Sequence, residues 1–175
     1  MKKEYKKIAN QLRKNYDEKV VRTLKDMRTR YHDQKEVKKI LKKKNPVIYR
    51  VYIGSSRIKT ARNLRVGLTV LNSGCIGKEY YMTKGHEHKK KIPEKYILIQ
   101  GKGKLILQRN SNKNNKTIIK NLKKNKIYEI PGDAAHRIVN TGNKKLEVLS
   151  FYDKRAGHSY KIEFKERLFK LDKKV

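Results

Sequence analysis

Three histidines and one glutamate stand where they can converge on a single ion. His86 and His88 lie two residues apart in Gly85-His86-Glu87-His88, and residues two apart on a strand project to the same face. Glu94 opens the apolar run that follows, and His136 comes much later, just after Pro131-Gly132-Asp133. Imidazole nitrogens with a carboxylate oxygen suit divalent transition ions from manganese to zinc, and affinity alone does not choose among them. A bare His-x-His is more often two surface side chains on a charged strand, so the surrounding spacing has to decide. The single cysteine, Cys75, sits in Asn72-Ser73-Gly74-Cys75-Ile76-Gly77, reads as part of a turn and has no assignable base. It is read as an inert small residue, and one cysteine excludes an internal disulfide and fits a reducing compartment.

These residues need strands to hold them, and the chain supplies a series. Period-two apolar alternation marks 47–53, 66–71, 80–83, 95–100, 104–108, 126–130, 137–140 and 145–152. Turn signals separate them, including Asn72-Ser73-Gly74, Gly101-Lys102-Gly103 and Thr141-Gly142-Asn143. Short strands without helices between them indicate an all-β antiparallel sandwich or jelly roll. The Asn/Lys-rich stretch 110–116 is read as a surface hairpin loop. Upstream, Asp33-Gln34-Lys35-Glu36 has capping-box form and Pro46 is a stop, which predicts a short helix over 34–44. Residues 1–32 are charged and helix-favouring with scattered apolar positions, and read as a peripheral arm. The division expected is a basic arm with a short helix over 1–46, then a β-barrel over 47–175.

The chain has 175 residues, enough for one ordinary domain. Lys and Arg number 48 against 16 Asp and Glu, a formal charge of +32. Such an excess attracts phosphate. Yet the lysines are spread along the chain without the aromatic interleaving of a single-strand groove, so nucleic-acid binding is expected to be non-specific at most. A basic surface also draws small anions, phosphorylated metabolites included. No window is apolar enough to span a bilayer and no secretory signal follows Met1; a cytoplasmic protein is expected.

The spacing His86-x-His88, Glu94, Gly101 resembles the first motif of the cupin superfamily, and Asn125, Pro131, His136, Asn140 resembles the second. Asn125 and Asp133 stand where the family has glycines, and both residue types tolerate a left-handed turn. The flanks narrow the likeness. Thr83-Lys84-Gly85-His86-Glu87-His88, Glu94-Lys95-Tyr96, Ala135-His136-Arg137-Ile138-Val139-Asn140 and above all Ala156-Gly157-His158-Ser159-Tyr160 resemble the cupin-type phosphoglucose isomerases of archaea. The resemblance covers roughly residues 20–160.

It implies a cupin jelly-roll barrel and a homodimer with one divalent transition metal per subunit, iron, manganese, nickel or zinc. The implied activity is interconversion of glucose 6-phosphate and fructose 6-phosphate. Moving a carbonyl between C1 and C2 by proton transfer passes through an enediolate, whose charge a metal can stabilise as Lewis acid while a base shuttles the proton; a hydride shift is the rival route. By resemblance His86, His88, Glu94 and His136 are metal ligands, and Glu94 is ligand, base or both. His158 serves ring opening or contacts a sugar hydroxyl. Tyr52, Thr69, Thr83, Gly85, Tyr96, Tyr152 and Tyr160 contact substrate, whereas Lys84 reads as solvated. Ala134 replaces an aromatic residue usual two positions before the last ligand. The competing expectations are another sugar-phosphate isomerase, such as one acting on mannose 6-phosphate, or a non-catalytic metal-binding cupin that binds anions or nucleic acid.

Overall fold

The computed structural model describes residues 2–56, 59–109 and 116–170. It is built on antiparallel strands, as the alternation requires. The larger sheet has six strands, β1 (Glu18–Thr23), β2 (Val47–Ser55), β3 (Leu64–Leu71), β7 (Glu94–Gln100), β10 (Ile127–Ile130) and β12 (Leu146–Asp153), in the order β1-β2-β3-β12-β7-β10. Facing it, β8 (Gly103–Arg109) pairs on one side with β11 (Ala135–Asn140) and on the other with β9 (Lys116–Asn121). Two-residue strands complete the barrel: β4 (Cys75–Ile76) with β5 (Glu79–Tyr80), and β6 (Glu87–His88) with β13 (His158–Ser159). Leu71, Leu98, Leu105, Ile106, Ile130, Leu146 and Val148 fill the space between the sheets. Burial of each such side chain contributes roughly 1.5–3 kcal/mol. Among the described residues no helix is long and apolar enough to cross a membrane.

Helix α3 (Gln34–Lys43) forms within the predicted range, and the Asp33 carboxylate accepts the Glu36 N–H at 2.9 Å as its N-cap. The strand expected over 80–83 is shorter: after β5 only Met82 bridges to Val139, because the chain turns at Gly85 to deliver His86. The hairpin loop expected at 110–116 falls outside the described residues except Lys116, which opens β9. That strand is lysine-rich with Ile118 and Ile119 exposed, a pattern of an edge rather than a core strand.

Residues 2–32, the described part of the expected arm, are not peripheral. Helix α1 (Lys2–Lys14) lays Tyr5, Ile8, Ala9 and Leu12, spaced at one helical face, on Leu68, Val70, Ile97 and Leu149 of the large sheet's outer side. Arg13 pairs with the buried Glu147 and fastens its end. Strand β1 adds directly to β2, and helix α2 (Leu24–Met27) sends Leu24 and Met27 into the main core. Scattered apolar points that look weak in a charged sequence are buried because they share a face only once the strands are present.

Candidate metal centre and active-site cavity

Strand pairing assembles the four ligand residues. The backbones of His86 and His136 bond to each other in both directions, at 3.1 and 2.9 Å, which stacks the two residues across an antiparallel bridge. His88 on β6 lies opposite His158 on β13. Glu94 is the first residue of β7, so its side chain is aimed by the sheet rather than by the loop before it. One nitrogen from each of the three histidines and one Glu94 oxygen all fall within 4.8 Å of one another.

The local chemistry fits a cation. His88 Nδ1 bonds the Ile92 carbonyl at 2.5 Å and His136 Nδ1 the Ala134 carbonyl at 3.1 Å. A carbonyl only accepts, so these pairings put the proton on Nδ1 and leave each Nε2 with a free lone pair. Nε2 of His86 and of His88 are buried without a hydrogen-bond partner, and His136 Nε2 is in direct contact with a Glu94 oxygen. Buried acceptors aimed at one point are costly unless something electron-poor sits between them. Burial, with the neighbouring imidazoles adding, holds the His86 pKa far below the ordinary range. That of His88 is also lowered by burial, Glu94 opposing. Both rings are neutral and ready to ligate. Burial pushes the Glu94 carboxyl up, but the contact with His136 and a hydrogen bond from the Tyr96 hydroxyl outweigh it and hold the pKa down.

Beside this cluster opens a cavity of about 220 Å³, below the usual ligand-pocket range of roughly 300–1,000 Å³ and suited to one small polar molecule. Thr69, Thr83, Gly85, Tyr96, Tyr152, His158 and Tyr160 all reach it, together with His86, Glu94 and His136. His88 closes the ligand set from behind. His158 lies over the cluster, with its ring centroid 4.2 Å from that of His86 and 5.5 Å from Tyr152. Burial lowers its pKa, Glu94 working against that. Burial also raises the Tyr152 hydroxyl to about 12. Gly85 has φ +72, and a Cβ there would strike the Phe164 ring, so only glycine turns the chain into the site.

Tyr52 does not join the others. It points to the opposite face of β2, where it packs on Tyr16 and the α1 side of the sheet. The residues of β2 that line the cavity are Tyr49, Val51 and Ile53, of the other parity. Alternation shows that one parity of a strand faces in, but not which, and both tyrosines occur in Tyr49-Arg50-Val51-Tyr52. The first wall of the cavity, Glu18, Val20 and Arg22 of β1, was also missed; its signal, the short run Val20-Val21-Arg22-Thr23, is buried among lysines and arginines. Lys84 is half-buried, its Nζ 4.9 Å over the Tyr160 ring, rather than solvated. Asn125 takes the left-handed conformation, φ 63, that a family glycine would supply, whereas Asp133 has no positive φ among the described residues. Cys75 is half-buried, and burial raises its thiol pKa, the reverse of an activated nucleophile.

Known proteins extend the likeness. The family model "Glucose-6-phosphate isomerase (GPI)" matches residues 21–168, a span that holds all four ligand residues. The glucose-6-phosphate isomerase of Pyrococcus abyssi is 35% identical over 143 residues, 81% of this chain and 74% of that one. That of Thermococcus litoralis is 36% identical over 143 residues, 81% and 73% of the two chains. Vicilin from Corylus avellana superposes with a TM-score of 0.51 at 16% identity, over 64% of this chain and 30% of that one, a likeness of fold alone. With most of its length and its whole ligand set inside the matched region, the chain belongs to the glucose-6-phosphate isomerase (GPI) family.

Proposed function

We propose that this protein interconverts glucose 6-phosphate and fructose 6-phosphate in the cavity beside the His86, His88, Glu94 and His136 cluster. The observation that carries the reading is that ligand set, with buried, unpartnered imidazole nitrogens, opening onto a cavity of about 220 Å³ lined by hydroxyl donors. His86, His88, His136 and Glu94 would hold one divalent transition ion per subunit, iron, manganese, nickel or zinc. Such an ion supplies Lewis-acid stabilisation of charge that develops on the sugar oxygens.

The chain's own groups do the rest. Glu94 reaches the cavity with a low pKa and so is ionised at neutral pH, as a base that moves a proton between C1 and C2 must be. Tyr96 donates to that carboxylate and fixes its rotamer. His158, neutral and set between His86 and Tyr152, is placed to take the hydroxyl proton released on ring opening. Thr69, Thr83 and the Gly85 backbone, with Tyr152 and Tyr160, offer hydroxyl and N–H donors to the remaining sugar and phosphate oxygens. Tyr49 takes the place of Tyr52 in this set. In the same reading the enzyme is a cytoplasmic homodimer. The family resemblance supports the dimer and the lone Cys75 a reducing compartment; the +32 surface holds nucleic acid only non-specifically.

The test follows glucose 6-phosphate and fructose 6-phosphate by NMR, with and without a chelator. Metal-dependent interconversion is expected. No turnover after restoring manganese, iron, nickel or zinc in turn would end the reading, and faster turnover of mannose 6-phosphate would reassign the sugar.

A further inference from the structure

Resting on the reading that a phosphorylated sugar occupies the cavity, we propose that Arg22, with Lys84 beside it, is the specificity-determining charge of the cavity mouth and selects a phosphate dianion over a neutral sugar. Arg22 comes from β1, opposite Tyr49 in the β1–β2 register, and its side chain reaches the cavity and bonds the Tyr49 hydroxyl. That same hydroxyl accepts the Lys84 backbone N–H at 3.4 Å, so Tyr49 ties the strand carrying one cation to the turn carrying the other. The Lys84 ammonium lies 4.9 Å above the Tyr160 ring, and the Tyr160 ring centroid is 5.9 Å from that of His86. Arg22 thus lines the same cavity as His86, Glu94 and His136, and Lys84 stands on the turn that leads into His86.

Among the described residues neither Arg22 nor Lys84 forms an ion pair. Asp26, a carboxylate whose charge acts on both cations, already accepts from the Thr23 N–H and hydroxyl at 2.7 and 2.8 Å. The third cation nearby, Arg30, spends its fork on the Tyr160 and Ile162 carbonyls. A guanidinium with free donors, next to an ammonium and two tyrosine hydroxyls, matches the charge and the fork geometry of a phosphate monoester. Glu18 lies on the same face of β1 as Arg22, two strand repeats away, and acts on Tyr152.

The experiment measures two quantities on metal-loaded protein, the Kd of inorganic phosphate by titration calorimetry and the KM for glucose 6-phosphate. In Arg22→Gln both are expected to rise about 10- to 100-fold, the cost of one hydrogen bond to a charged group, with kcat and bound metal within about threefold of wild type. Arg22→Lys is expected to restore part of the loss. Unchanged Kd and KM in Arg22→Gln would overturn the proposal, as would a fall in kcat at constant KM. Should Arg22→Gln not fold, Lys84→Met decides: weaker phosphate binding is expected and unaltered binding overturns it. The phosphate titration needs no turnover. A wild type that binds phosphate through Arg22 yet does not isomerise the sugar would refute the isomerase reading and leave this one standing.

Discussion

At the scale of single residues, the proposed function makes two demands on the Glu94 carboxylate. As a ligand it would share its charge with the ion; as a base it would accept a proton from carbon. Glu94→Gln keeps the shape and removes the charge, so kcat is expected to fall by about 10²–10⁴ if the carboxylate carries the proton. Stopped assays with metal content measured in parallel check this, and retained kcat with lost metal would leave Glu94 only the ligand role. Tyr96 supplies the complementary experiment. Its buried hydroxyl bonds the Glu94 carboxylate and helps hold that pKa down. Tyr96→Phe is therefore expected to move the acid limb of the kcat profile to higher pH, with the metal still bound. An acid limb at the wild-type pH would remove Tyr96 from this role. The clustering of His86, His88, Glu94 and His136 is legible because ligand chemistry restricts residue types and the cupin spacing restricts their separation. Tyr52 failed the same treatment because a strand offers two faces, and local sequence does not label them.

At the scale of elements, legibility tracked how local each signal was. Helix α3 is written in a few adjacent residues, and Asp33 caps it as its sequence predicts. Asp33→Ala is expected to destabilise the protein by about 1 kcal/mol, read as a lower urea midpoint at unchanged m-value; an unchanged midpoint would show that this cap contributes nothing to stability. Strands 47–53, 95–100, 104–108 and 145–152 were found within a residue or two of β2, β7, β8 and β12, since alternation is also local. Strand β1 was not, because Glu18-Lys19-Val20-Val21-Arg22 alternates poorly. Its partner β2 lies across three intervening helical segments, and pairing over that separation has no signature in either strand. The cost of missing β1 was functional, for Arg22 and Glu18 stand on it.

Over the whole molecule, burial of the site couples stability to pH. His86, His88 and His158 have pKa values pushed below the ordinary imidazole range. The unfolded chain takes up protons on these rings near pH ~6.5, while the fold resists doing so. Protons then favour the unfolded state, so the metal-free protein is expected to lose stability as pH falls below about 6.5. Bound metal should deepen the slope, because protons compete for the same nitrogens. Melting temperatures of chelator-treated and metal-loaded protein from pH 7.5 to 5.5 check this; a flat profile for both would contradict it.

By itself the sequence determined the chemistry and the class of fold. Ligand types, their spacing and the period-two runs are covalent or nearest-neighbour properties, and they lead to a candidate metal cluster in a jelly roll without any coordinates. Tertiary structure alone decided that Tyr49 rather than Tyr52 faces the cavity, that residues 2–32 pack against the sheets, and that Arg22 lines the cavity. Each of those facts depends on which face of an element is covered by a partner distant in the chain, and burial is a property of the assembled molecule.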